Sequence, residues 1–162
     1  SEPAQGTSFK IYFPISDVYP EEKQAKTLQE PAYVQDREAT ILVVEDEEVV
    51  RDLTVNALQE LGYRVLDAEN GEQCVQHVQK LEEDLDLLLT DVIIPDMNGR
   101  DLFARVVQYF PQIGVVYMSG YPENAISSRG VLEEDVHFLQ KPFSLKDLDK
   151  KVGEILARKK SE

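Results

Sequence analysis

From Thr40 onward the chain alternates between two hydrophobic rhythms. Short, continuous apolar runs rich in β-branched residues alternate with segments whose apolar positions recur every three or four residues. ILVVE (41–45) is the first run. EEVVRDLTVNALQELG then shows helical spacing at Val50, Leu53, Ala57 and Leu61, with Gly62 as a stop. YRVLDA predicts a second strand. Asn70 opens a second helix, with Gln73 three residues on as capping partner. LLLTD (87–91) predicts a third strand, and RDLFARVVQYF a third helix ended by Pro111. GVVYMSG (114–120) is a fourth strand, followed by a short helix near 123–131. VHFLQ (136–140) is a fifth strand. Ser144 caps a last helix with Leu145, Leu148, Val152 and Ile155 on one face. That helix ends in ARKK, and cations suit the negative end of its dipole.

Five strands alternating with five helices make a doubly wound α/β fold, a parallel sheet with right-handed crossovers and helices on both faces. Strands apolar throughout, not at every second position, are those covered on both sides. Such sheets bind ligands beyond the carboxyl ends of their strands, where the winding reverses. The chemistry therefore belongs to the residues that end the apolar runs.

Residues 1–39 lack that rhythm. FKIYFP (9–14) alternates, with Phe9, Ile11 and Phe13 on one side and Lys10 and Tyr12 on the other, and predicts one isolated strand. Residues 15–39 are polar, charged and broken by Pro20 and Pro31, as a linker is, with a short helix near 21–29. An unpaired Phe/Ile/Phe strand is adhesive, so it is expected to pack on the receiver or on another molecule, self-association being one such outcome.

Composition narrows the classes. The 162 residues suit one domain with a tail, and 42% hydrophobic residues suffice for a core. A net charge of −14 repels phosphate backbones and anionic membranes, so no nucleic acid is expected as partner. No apolar run approaches the roughly 20 residues of a membrane span, so no membrane contact by this segment is expected, and no signal peptide is read at its start. The single cysteine, Cys74, cannot form an internal disulfide, and a cytoplasmic setting is expected. His77 and His137 read as ordinary surface or edge residues.

Strand one ends in Glu45-Asp46, strand three in Asp91, and strand four in Ser119-Gly120; Lys141-Pro142 follows strand five. If strands one and three are neighbours, about 4.8 Å apart, three carboxylates share one rim and repel. A divalent cation relieves this, and Mg²⁺ favours a few carboxylates together with water and phosphate oxygens. Taken alone, Asp91 is as well explained by a helix cap or turn as by chemistry, and Glu45-Asp46 also suits a cap of the first helix. Asp96, after Pro95 in a turn, is expected to be merely solvated.

These pieces resemble the receiver domain of two-component response regulators. VVEDEE is similar to that family's acidic pair, LLLTDVIIPDMNG to its phosphoacceptor segment, YMSGY to its Ser/Thr position, and LQKPF to its lysine-proline pair. The resemblance covers 40 to about 158, giving a receiver domain at 40–160. It implies a flavodoxin-like strand order, 2-1-3-4-5. Asp91 is then the nucleophile that takes a phosphoryl group from the phosphohistidine of a histidine kinase or histidine phosphotransfer domain. Asp46, Asp91 and the carbonyl of Ile93 ligate Mg²⁺, with Glu45 acting through a metal-bound water. Ser119 and Lys141 hold phosphoryl oxygens. Phe138 takes the place of the switch aromatic, although a plain core aromatic fits it equally. Phosphorylation then biases the face formed by the 123–131 helix, the fifth strand and the last helix. The residues two beyond Asp91 and Ser119 are Ile93 and Tyr121, and neither orients a water at phosphorus with an amide or carboxylate; a long-lived aspartyl phosphate is expected.

SEPAQGTSFKIYFP (1–14) in turn resembles the last glycine box and final strand of a histidine-kinase ATP-binding domain, with Ala4 in place of the first glycine and Gly6 and Thr7 kept. That implies the C-terminal receiver of a hybrid histidine kinase, whose parent chain is membrane-attached in some cases, in a fragment with no kinase activity of its own. With no output segment after Glu162, the expected output is phosphorelay or control of the attached kinase. The rivals are a pseudo-receiver interaction module, a stand-alone single-domain response regulator, and an aspartyl-phosphate hydrolase. The last needs Asp-x-Asp, and this segment reads Asp91-Val92-Ile93. A nucleotide switch needs a phosphate-binding glycine loop, which is missing from the sequence.

Overall fold

A computed structural model describes residues 38–121 and 137–159. The expected strand and helices at 9–14, 21–29 and 123–131 lie outside the described residues. Within them, five strands form one parallel sheet: β1 (Thr40–Val44), β2 (Arg64–Ala68), β3 (Leu87–Asp91), β4 (Gly114–Ser119) and β5 (Phe138–Gln140). Their order is β2-β1-β3-β4-β5, as expected. The winding reverses between β1 and β3, so the switch point lies at the carboxyl ends of those two strands.

The continuous apolar runs divide by alternation between two cores. Ile41, Val43, Leu87 and Leu89 face α1 (Glu48–Glu60) and a C-terminal helix, α4 (Leu145–Lys159). Leu42, Val44 and Leu88 face the opposite way, against α2 (Gly71–Lys80) and α3 (Gly99–Val106). Side chains of successive strand residues point to opposite faces, so only a strand sandwiched between helices needs to be apolar at every position.

Three details differ from the sequence expectation. Leu53 points out at 66% exposure, and the inward stripe of α1 runs through Thr54 and Leu58. Thr54 is tolerated inside because its hydroxyl donates to the Val50 carbonyl at 2.8 Å, a satisfaction that a count of apolar residues does not register. Leu145 is exposed at 39%, while Leu148, Val152 and Ile155 are buried. α3 stops at Val106, after which the Gln108 and Tyr109 N–H groups bond three residues back to Arg105 and Val106, tightening the chain ahead of Pro111.

The helix starts follow the sequence closely. Asn70 accepts from the Gln73 N–H at 2.8 Å. The Gln73 side chain accepts from the Glu69 N–H at 2.7 Å, one residue beyond the N–H of a reciprocal cap. Ser144 and Asp147 cap each other across the first turn of α4. Gly62 ends α1 with a φ of 87°, a left-handed conformation that glycine adopts without strain.

Candidate functional site

β1 and β3 pair in parallel as far as Val44 opposite Thr90. The next residue on each strand is therefore Glu45 and Asp91, side by side at the switch point. Glu45 remains tied to the sheet through its N–H, which donates to the Ala68 carbonyl at 3.1 Å. Its own carbonyl accepts from Arg51 Nη1 at 2.9 Å, which anchors the turn into α1. The N-cap of α1 is Glu47, which makes no side-chain capping bond of its own, while its N–H donates to the Glu45 carboxylate at 3.4 Å. Glu45 is buried, Asp91 half-buried and Asp46 exposed. One carboxylate oxygen from each of the three lies within 4.8 Å of the others. The rim expected from the sequence is thus assembled.

Lys141 enters from the β5 side. Its N–H donates to the Ser119 carbonyl at 2.8 Å, extending the β4–β5 pairing by one residue, and the Lys141-Pro142 bond is cis. The Lys141 ammonium donates to Glu45 and also to Asp91 Oδ2, the latter at 2.9 Å. Burial by itself lowers the lysine's pKa. Its hydrogen bonds to the two carboxylates and their charge outweigh it, so Lys141 stays protonated with its pKa raised. Glu45 is raised too, chiefly by desolvation, which the lysine offsets only in part. The two shifts share a sign because Lys141 has two carboxylate partners, whereas buried Glu45 has one ammonium and the like charge of Asp91 beside it.

Ser119 follows Met118, the residue paired with Asp91, so its hydroxyl sits one step beyond the acid on the neighbouring strand. It is buried, and its oxygen accepts from the Tyr121 N–H at 3.1 Å. Phe138 is half-buried against Val92 and Tyr117, in a small cluster separate from both main cores. Ile93 is 64% exposed and Tyr121 59%, so both flank the site openly.

Two residues acquire roles that sequence reasoning did not give them. Asn98 is the N-cap of α3, accepting from the Asp101 N–H at 2.8 Å; an Asn three residues ahead of an acid was the available signal. Asp96 is not merely solvated. Its two carboxylate oxygens accept from the Gly71 and Glu72 N–H groups at 3.0 and 2.9 Å, across 25 and 24 residues. Desolvation, which opposes ionisation, is outweighed by those bonds, and the Asp96 pKa falls below its ordinary value. No local pattern announces a cap supplied from so far along the chain.

Among the described residues no helix is long and apolar enough to cross a membrane. The chain is 34% identical to the sensor kinase CckA of Brucella abortus over 98% of its own length, and spans 17% of that kinase. It is 33% identical to the response regulator receiver protein CpdR of the same organism, over 72% of this chain and 95% of CpdR. The crystal structure of the receiver domain from the hybrid histidine kinase CckA superposes with a TM-score of 0.62 at 34% identity, covering 73% of this chain and 99% of that domain. Residues 41–153 match the response regulator receiver domain family. The strand order, the acids at the switch point and these similarities converge: the chain belongs to the response regulator receiver domain family, the receivers of two-component signalling.

Proposed function

We propose that Asp91 is the phosphoacceptor of this receiver. The observation that carries the reading is the convergence of three carboxylates and one protonated lysine on the end of β3, with Asp91 in contact with that lysine. In the transfer, an Asp91 carboxylate oxygen forms a bond to phosphorus as the phosphorus–nitrogen bond of a phosphohistidine breaks. The electron pair leaves on the imidazole nitrogen, which takes up a proton. Lys141, freed from Glu45 and Asp91, pairs with a phosphoryl oxygen, and Ser119 donates its hydroxyl to another. Both act on the equatorial oxygens, where charge must be neutralised. The phosphoryl group carries roughly one and a half to two negative charges, and because the carboxylate's own charge is consumed in the new bond the net gain is about one or less.

The donor set fits a divalent cation: all-oxygen ligands, a net negative rim, and a lysine standing where positive charge is needed. Asp46, Asp91 and the Ile93 carbonyl would hold Mg²⁺ directly, with Glu45 through a water. Bound there, Mg²⁺ supplies positive charge that screens the acids from an incoming phosphoryl group. Phe138, in its small cluster beside Tyr117, is read as the aromatic that responds to the movement of Ser119.

The similarity to a sensor kinase runs over 98% of the chain and so extends ahead of residue 41. It supports reading 1–14 as the end of a kinase ATP-binding domain, 15–39 as a linker, and the whole as the receiver of a hybrid histidine kinase at 40–160, served by a histidine kinase or histidine phosphotransfer domain. The buried thiol of Cys74 suits a reducing, cytoplasmic setting. Incubation with acetyl phosphate tests the site. One phosphoryl group should add in Mg²⁺ and none in EDTA, and the adduct should outlast removal of the donor by more than minutes. Equal gain in EDTA contradicts the cation reading, and loss within seconds contradicts a long-lived phosphate.

A further inference from the structure

The segment between β3 and α3 is a small hairpin. Its base is fixed by the Val92 N–H on the Met118 carbonyl (2.9 Å) and the Gly99 N–H on the Val92 carbonyl (2.9 Å). Ile93 faces Asn98 in an isolated antiparallel bridge, and the Ile94 N–H closes the turn on the Met97 carbonyl at 3.2 Å. The Ile93 side chain is exposed, while its neighbours Val92 and Ile94 are buried, so its carbonyl is oriented by this backbone lattice and by those two apolar anchors. At the tip, Asp96 grips the first two N–H groups of α2, and Met97 covers Gly71 so closely that a Cβ there would lie 2.6 Å from the Met97 sulfur.

We propose that Asp96 is a positioning residue of the phosphoacceptor site. It fastens the hairpin tip to the N-terminus of α2 and so holds the Ile93 carbonyl where a cation would meet it. The inference rests on the cation reading given above. A plain helix cap is the competing account, yet α2 already has its own cap in Asn70, which serves the Gln73 N–H. Asp96 serves the two N–H groups that Asn70 leaves over, and does so from the loop that follows the nucleophile. Two side chains from different parts of the chain thus divide one helix terminus, and only one of them belongs to the site.

That division supplies the test. Mg²⁺ affinity is measured by calorimetry on the full chain for wild type, Asp96→Ala, Asp96→Asn and Asn70→Ala, with amide exchange at Ile94 and Gly99 followed in metal-free protein. Asp96→Ala should weaken Mg²⁺ binding about tenfold, the scale seen when a residue supporting a metal ligand is lost. It should also speed exchange at Ile94. Asp96→Asn keeps one acceptor and should fall between. Asn70→Ala should loosen α2 and leave Mg²⁺ affinity unchanged. Wild-type affinity in Asp96→Ala and Asp96→Asn overturns the inference while leaving the cation site standing, and so does an equal loss in Asn70→Ala. Absence of Mg²⁺ binding by wild type overturns both together. Should Asp96→Ala fail to fold, Asp96→Asn against Asn70→Ala decides the matter.

Discussion

Lys141 is bound to two carboxylates in the resting site, and it has to leave them to serve a phosphate. Removing it separates its two effects. Lys141→Ala deletes the ammonium that competes with a cation for Glu45 and Asp91, so Mg²⁺ should bind at least as tightly as before. Without metal, the variant leaves Glu45 buried and unpaired, a loss of about 1–3 kcal/mol of stability. Phosphoryl acceptance from acetyl phosphate should slow on the order of a hundredfold, the scale for losing one donor to a developing charge. An unchanged acceptance rate would take Lys141 out of the chemistry. This residue was legible because it follows an apolar run directly and precedes a proline. Glu45, Asp46, Asp91 and Ser119 were legible for the same reason, each ending or following a run that had to be a strand. Asp96 was not, because its partners lie 24 and 25 residues away and only the folded chain brings them together.

Elements were read from rhythm, and among the described residues the rhythm misled chiefly where polar residues stood in for apolar ones or where a helix tightened before ending. Thr54 in α1 and the bonds after Val106 are those places, and Leu145, read as inward-facing, is exposed at the start of α4. The tightest joint between element and site is the start of α3. A Cβ on Gly99 would lie 2.4 Å from the Asp91 carbonyl oxygen and 3.1 Å from the Thr90 methyl. Backbone cannot give way as a flexible side chain can, so Gly99→Ala should cost about 1–3 kcal/mol, the range for overpacking. It should weaken Mg²⁺ binding as well, because the strain falls on Asp91 itself. Gly153 is the contrasting case. It lies within α4 with open space around its missing Cβ, and Gly153→Ala should raise stability by up to about 1 kcal/mol through helix propensity. Urea titration of both variants measures the pair. Two equal effects would mean that crowding at Asp91 is not what separates them.

At the scale of the whole molecule, the sheet order performs the assembly. Placing β3 between β1 and β4, with β5 beyond, brings positions 45, 91, 119 and 141 to one rim although nearly a hundred residues separate the first from the last. A doubly wound topology was legible because strands and helices alternate through the described residues as far as β4, and β5 is followed by α4. The same account holds that this rim accepts phosphorus from nitrogen at Asp91. Phosphoramidate carries the phosphorus–nitrogen bond in a small donor, which frees the measurement from any choice of partner protein. Intact-mass analysis of wild type and Asp91→Asn, each incubated with phosphoramidate and Mg²⁺, therefore tests the central claim most directly. The account predicts one added phosphoryl group on wild type and none on Asp91→Asn. Equal phosphorylation of the two chains would contradict it.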